Sequence, residues 1–274
     1  MHTSAKKALK AFLDEDIGKG DITSKLLPKK EISANIISRQ SGIIAGVSYA
    51  REIFTSRNCR VKILKNDGSN IKPNDKIMTI TGIPYSILSC ERTALNLLSR
   101  MSGIATQTGI LVKVIKSVNS KAEIYSTRKT APGLRTFDKE AVEIGGGRKH
   151  RISLDQMVMI KDNHLAVKSL SDIIRSAKKR HKKFEVEVEN LNDAVIAARE
   201  GASIIMLDNI PPKEIIRIIS TLKRLNLRRG VKIEASGGID ISNLKQYAKT
   251  GVDMISIGKL TSSVHGLDLS LEVS

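Results

Sequence analysis

The sequence has 274 residues, 41% of them apolar and only 3% aromatic, with a formal charge of +18. That is enough aliphatic chain for two modest domains or one large α/β barrel, and 19 glycines with 6 prolines exclude collagen-like and low-complexity classes. Two cysteines, Cys59 and Cys90, lack CxxC spacing and read as buried thiols in a reducing cytoplasm, while the absence of an 18-residue apolar run or a signal-peptide core argues against a membrane or secretory segment.

In chain order, a helix is predicted over about 4–14, where Leu9, Phe12 and Leu13 share a face. The polar turn Glu15–Thr23 (EDIGKGDIT) follows. Strands are expected near 32–38, 60–64 and 76–81, with a helix over 47–56. Pro84 opens a helix expected to run to about 100 on the stripe Ile87, Leu88, Ala94, Leu95, Leu98 and Met101. Glu91 falls inside that stripe, so a salt bridge is expected to neutralise it, and Arg92 lies on the flank.

From about residue 104 the pattern becomes alternating. Strands are expected at 123–127, 157–161, 184–188, 204–208, 233–236 and 254–258, with helices near 168–179, 191–200, 212–224 and 241–249 between the later ones. Short β-branched strands separated by helices make a parallel sheet with both faces covered. Each strand ends in polar residues: Thr127–Thr130, Lys161–His164, Glu185 with Glu187, Asp208–Asn209, Ser236–Gly238 and Gly258–Lys259. In a barrel such ends converge on one face and form the active site.

Three sets stand out there. Ser236-Gly237-Gly238 and Gly258 read either as ordinary turns or as a phosphate cradle, where glycine lets backbone N–H groups approach an anion. Glu187 and Asp208 read as salt-bridge partners of Lys161 or Arg151, or as Mg²⁺ ligands open to substrate phosphates; the two roles are compatible. Glu185 and Glu187 point the same way by period two, so one of them is expected to lie behind the other. Arg128, Lys129, His150, Arg151 and Lys161, near the glycine triplet 145–147, form a basic set suited to carboxylates. The residues themselves therefore lead to an α/β-barrel enzyme for a phosphorylated substrate, a divalent metal and a carboxylate-bearing co-substrate.

The sequence also resembles quinolinate phosphoribosyltransferases. The segments that carry the resemblance are Glu15–Thr23, Glu91–Asn96 (ERTALN), Ser102–Thr106 (SGIAT), Thr127–Arg135 (TRKTAPGLR), Gly145–Gly147 with His150–Arg151, Ile160–His164 (IKDNH), Glu185–Glu187, Leu207–Asn209 (LDN), Glu234–Ile239 (EASGGI) and Thr250–Gly258. The resemblance implies an N-terminal α/β sandwich over 1–103, joined again by 266–274, and an incomplete, about seven-stranded parallel barrel over 104–265. It implies a cytoplasmic enzyme of NAD biosynthesis joining quinolinate to phosphoribosyl pyrophosphate, with Mg²⁺ as cofactor. It also implies a homodimer or larger assembly with shared sites. Arg92 would reach the partner's site; Arg128, Lys129, His150, Arg151 and Lys161 would hold quinolinate. Glu187 and Asp208 would serve Mg²⁺ and the ribose pyrophosphate, and Ser236, Gly237, Gly238 and Gly258 the 5-phosphate. Lys129, Lys161, Glu187 and Asp208 are the expected catalytic residues. Ser126, Lys259 and Ser262 depart from the family pattern.

Two other readings compete with this one. A molybdenum-transport branch of the same fold changes the KDNH segment, which is intact here at 161–164. A nucleic-acid-binding protein would exploit the +18 charge, but the densest basic run, Lys178–Lys183, has no aromatic platform beside it.

Overall fold

The computed structural model of the protein describes residues 3–118 and 120–274. The elements in chain order are α1 (Thr3–Ile17), β1 (Ile32–Ser38), β2 (Gly42–Ile43), α2 (Val47–Thr55), β3 (Arg60–Ile63), β4 (Asn70–Ile71), β5 (Lys76–Gly82) and α3 (Pro84–Lys116). They continue with β6 (Glu123–Tyr125), α4 (Arg135–Ile144), β7 (Val158–Ile160), α5 (Asp162–Leu165), α6 (Leu170–Arg180), β8 (Phe184–Val188), α7 (Leu191–Glu200) and β9 (Ile204–Asp208). The last are α8 (Pro212–Arg224), β10 (Lys232–Ser236), α9 (Leu244–Ala248), β11 (Met254–Ser256), α10 (Lys259–Ser262) and β12 (Leu269–Val273). Among the described residues no helix is long and apolar enough to cross a membrane.

The chain divides into two compact units. The first comprises 1–109, 131–146 and 263–274, and the second 110–130 and 147–262. The division differs from one at residue 103, because 131–146 packs with the first unit. The reason lies in α4. Phe137 stacks edge-on against Tyr49 at 4.8 Å and tilts against Phe12 at 5.8 Å. Its neighbour Asp138, fully buried, receives both Arg100 Nε at 2.7 Å and Nη2 at 2.9 Å.

The first unit holds an antiparallel sheet in the order β12-β1-β5-β3 and a small β2-β4 pair. β1 is nearly buried throughout, as Ala34, Ile36 and Ile37 require. Its partner β12 brings residues 269–273 back to this sheet, pairing Ala34 with Val273 and Ser38 with Leu269. Helix α2 buries Tyr49, Ala50, Ile53 and Phe54, and α1 buries Ala5, Leu9 and Leu13 at 3.6-residue spacing. Cys59 and Cys90 are buried free thiols, and burial pushes the Cys90 thiol up to about 12.

The second unit holds a parallel sheet in the order β6-β11-β10-β9-β8-β7. Sequential neighbours with the first strand returning beside the last is the order of a barrel that has not closed. Six strands form rather than about seven. At the seventh place, after the glycine triplet, the chain makes a single parallel bridge, Tyr125 to Arg148. Arg148 N donates to Ile124 O at 2.8 Å and Ser126 N to Arg148 O at 3.0 Å, before the charged run Lys149-His150-Arg151 leaves the ladder. The helices follow sequence logic. α8 starts with Pro212 and buries Ile215, Ile218, Ile219 and Leu222. α7 is capped by Asn190, whose side chain accepts from Asp193 N at 2.9 Å, and ends at Gly201 with φ +93°.

Candidate active site

The alternating strands build the site. In β8 (FEVEV), Phe184, Val186 and Val188 are buried on one face, leaving Glu185 and Glu187 on the other. The neighbouring strands place Met206 in register with Glu187, and Glu234 in register with Met206. Beyond the strand ends lies a cavity of about 580 Å³. Every predicted site residue of the barrel lines it: Arg128, Lys129, His150, Arg151, Lys161, Glu187, Asp208, Ser236, Gly237, Gly238 and Gly258. Arg92 does not; it is exposed on α3. Glu91 is half-buried and has no ion pair with a described residue, so the expected salt bridge is corrected: partial exposure lets water solvate the carboxylate.

One wall is cationic. The Nε of Arg128 is buried and has no hydrogen-bond partner among the described residues. Arg151 donates to Met157 O at 3.0 Å and to Met159 Sδ at 3.3 Å. Burial and the neighbouring positive charge of Arg128 both hold its guanidinium below the ordinary arginine value. Two crowded guanidinium groups, one with an unsatisfied N–H, make a wall that an anion completes. Lys161 is paired with Glu187. Its backbone is fixed by the motif around it: Lys161 N donates to His164 Nδ1 at 2.9 Å, and Asn163 N to Asp162 Oδ1 at 2.7 Å. The KDNH segment thus forms the N-cap and first turn of α5 as well as bearing Lys161.

The opposite side is glycine-lined. Gly237 has φ +89°, and a Cβ there would collide with the side chain and backbone N of Asn209. Asn209, itself at φ 53°, donates N–H to Ser236 O at 2.9 Å and its amide to Asp208 Oδ2 at 2.7 Å. Gly238 faces open space. Gly258 lies against Lys129, whose carbonyl accepts from Thr261 Oγ1 at 2.8 Å. The three departing residues have defined places. Ser126 Oγ donates to Lys149 O at 2.7 Å. Lys259 pairs with Asp240 at 2.8 Å and, like Ser262, lines the cavity.

Beneath this surface lies a cluster that sequence pattern did not disclose as a unit. His150 Nε2 is 3.3 Å from Glu185 and 3.3 Å from Glu234, both fully buried. Burial alone would lower the His150 pKa, but the two carboxylates beside Nε2 outweigh it and raise it to about 9. Burial and the charge of Glu234 push Glu185 upward, against the pull of His150. Arg151 N donates to His150 Nδ1 at 2.8 Å, so the neutral ring carries its N–H on Nε2, facing the carboxylates.

Residues 21–102 match the profile "Quinolinate phosphoribosyl transferase, N-terminal domain", and 104–272 that of the C-terminal domain. A protein of Methanothermobacter thermautotrophicus named probable nicotinate-nucleotide pyrophosphorylase [carboxylating] is 42% identical over 97% of both chains. One of the same name from Archaeoglobus fulgidus is 45% identical over 93% of this chain and 98% of its own. The solved nicotinate-nucleotide pyrophosphorylase of Francisella tularensis superposes with a TM-score of 0.92 at 36% identity, covering 99% of this chain and 96% of that one.

Proposed function

The chain belongs to the quinolinate phosphoribosyltransferase family, and we propose that its barrel cavity carries out the family reaction with the residues described above. Quinolinate and phosphoribosyl pyrophosphate give nicotinate mononucleotide, pyrophosphate and CO₂, a step of NAD biosynthesis. The observation that carries the assignment of residues is the Arg128–Arg151 wall, with a buried unsatisfied N–H and a guanidinium crowded by its neighbour. A dianionic acid relieves both conditions at once.

Arg128 and Arg151 hold the carboxylates and fix the ring plane, with Lys161 beside them. Gly237, Gly238 and Gly258 present backbone N–H groups to the 5-phosphate, and Ser236 its hydroxyl. Held this way, the pyridine nitrogen faces the anomeric carbon as pyrophosphate departs, so orientation supplies much of the acceleration. Lys129 meets the negative charge growing on the leaving group. The ring nitrogen, now cationic, stabilises the carbanion left when the adjacent carboxylate departs as CO₂, and a proton from solvent then takes the place of the lost carboxylate on that carbon. No covalent nucleophile is required. Glu187 and Asp208, carboxylates facing one cavity with room for phosphates, fit Mg²⁺, which when bound neutralises pyrophosphate. The protein acts in the cytoplasm as a homodimer or larger assembly, with Arg92 serving the partner's site.

The test is a coupled assay with quinolinate, phosphoribosyl pyrophosphate and Mg²⁺, with nicotinate as the control. Mg²⁺-dependent CO₂ release with formation of nicotinate mononucleotide from quinolinate alone supports the proposal. Turnover of nicotinate instead, or of neither acid, overturns it.

A further inference from the structure

His150, Glu185 and Glu234 come from three separate segments, and their polar atoms converge within 4.8 Å of one another. The two glutamates are fully buried. Both oxygens of Glu185 and Oε1 of Glu234 find no hydrogen-bond partner among the described residues. Two adjoining carboxylates kept from water are costly, and apolar residues of similar volume would fill the space at less expense. The group that both touch is the His150 ring, through Nε2.

The other face of the ring leads to the cavity. Nδ1 accepts the N–H of Arg151, the residue whose guanidinium lines the cationic wall. His150 itself sits at φ 54°, a left-handed conformation that a residue with a Cβ seldom adopts. The surroundings therefore hold the His150–Arg151 backbone against its own preference. Tyr125 stands edge-on to the ring at 5.8 Å and limits its tilt. A flipped ring would set C–H groups against two carboxylates and remove the acceptor from Arg151 N.

We infer that Glu185 and Glu234 are positioning residues: by locking the His150 ring they fix the backbone from which Arg151 reaches the acid substrate. This rests on the proposed reaction, because it takes Arg151 to meet a carboxylate of quinolinate. Without the lock, Arg151 has to be ordered as the acid binds. The penalty falls on the acid and not on phosphoribosyl pyrophosphate, whose glycine loops are built separately.

The experiment uses the full chain and its Glu185→Leu, Glu234→Leu, Glu185→Gln and Glu234→Gln variants. It reads KM for each substrate, Tm, and the ¹⁵N signals of the His150 ring. The Leu variants should raise the quinolinate KM about 10-fold and leave that for phosphoribosyl pyrophosphate within about 2-fold. The Gln variants, which keep an acceptor oxygen, should recover to within about 3-fold of wild type. In the neutral ring of the wild type, Nδ1 should report an unprotonated acceptor and Nε2 a protonated donor. An unchanged quinolinate KM in the Leu variants overturns the inference, as does a parallel rise of both KM values with a fall in Tm. A wild-type ring averaging between tautomers overturns it even if no Leu variant folds. If the wild type turns over no quinolinate, the reaction assignment fails. The ring signals then decide the lock alone: fixed in the wild type and displaced by Leu sustains it, unmoved overturns it.

Discussion

Lys161 and Glu187 form an ion pair across the neighbouring strands β7 and β8, inside the cavity that both line. Each neutralises the other, and the proposed reaction uses each of them elsewhere. Lys161→Ala should therefore lower kcat/KM for quinolinate by about 100-fold or more while changing Tm little, because a pair with a partly exposed lysine contributes only about 1 kcal/mol to stability. Steady-state kinetics beside a thermal melt separates the two effects. A melt that falls as far as the activity would make the pair structural.

Gly237 is the position where backbone geometry and the proposed phosphate cradle coincide. With φ +89° and Asn209 against its missing Cβ, Gly237→Ala should destabilise the protein by about 1–3 kcal/mol. It should also raise the KM for phosphoribosyl pyrophosphate more than that for quinolinate. Gly238→Ala meets open space but also has a positive φ of +59°, so a smaller loss of stability is expected there. Chemical denaturation of the two variants side by side provides the check.

Asp138 is fully buried and both its oxygens are held by Arg100. Arg100→Met leaves that carboxylate without its cation, at a cost of about 3–5 kcal/mol. The double variant Arg100→Met with Asp138→Leu should regain much of the loss. Urea midpoints of the two single variants and the double variant complete the cycle; a simple sum of the single losses would show that the pair is not coupled.

The buried cluster around His150 predicts a pH dependence. Its proton is bound more tightly in the folded chain, where the pKa is about 9, than by an ordinary histidine near 6.5. The stabilisation is therefore fully present below about pH 6.5 and is lost as pH rises through about 9. Wild-type Tm should fall across that window. Glu185→Gln, which removes one of the two opposing charges, should flatten the decline. An equal slope in both proteins would show that the cluster does not carry the proton.

If Arg92 serves the partner's site, Arg92→Ala and Glu187→Ala should each be inactive alone. Mixed and allowed to exchange subunits, they should recover about a quarter of wild-type activity, since random assembly pairs one intact site with one doubly damaged site in half the dimers. Absence of any recovery, with exchange demonstrated by mass, would place Arg92 outside the shared site.

Much of the second unit was legible because its strands obey period two. Phe184-Glu185-Val186-Glu187-Val188 announces one apolar and one acidic face, and the structure uses both. The helix from Pro84 was harder. It runs to Lys116 rather than to about 100, passing Gly103 and Gly109. A Cβ on Gly103 would strike the His265 carbonyl, and one on Gly109 would meet Ile43 at 2.6 Å. These glycines permit close packing inside a helix, and sequence alone does not distinguish that from a helix stop. The same limit hid the His150 cluster. Its members lie far apart in the chain, and only the curvature of the sheet brings Glu185 and Glu234 to one ring. Asn209 read as part of a motif; its collision course with a Cβ on Gly237 belongs to three dimensions.

The placement of β12 has a consequence for the order in which the protein can be made. Residues 269–273 leave the ribosome after every strand of the second unit, yet they cover the edge of β1, a run of buried residues near the start. Until they arrive, β1 presents a bare apolar edge of the kind that recruits other chains. The second unit has all its strands before the first has its last. A growing chain therefore carries an unfinished sheet while the second unit is made, and shielding of that edge by chaperones until β12 emerges bears directly on the yield of folded protein.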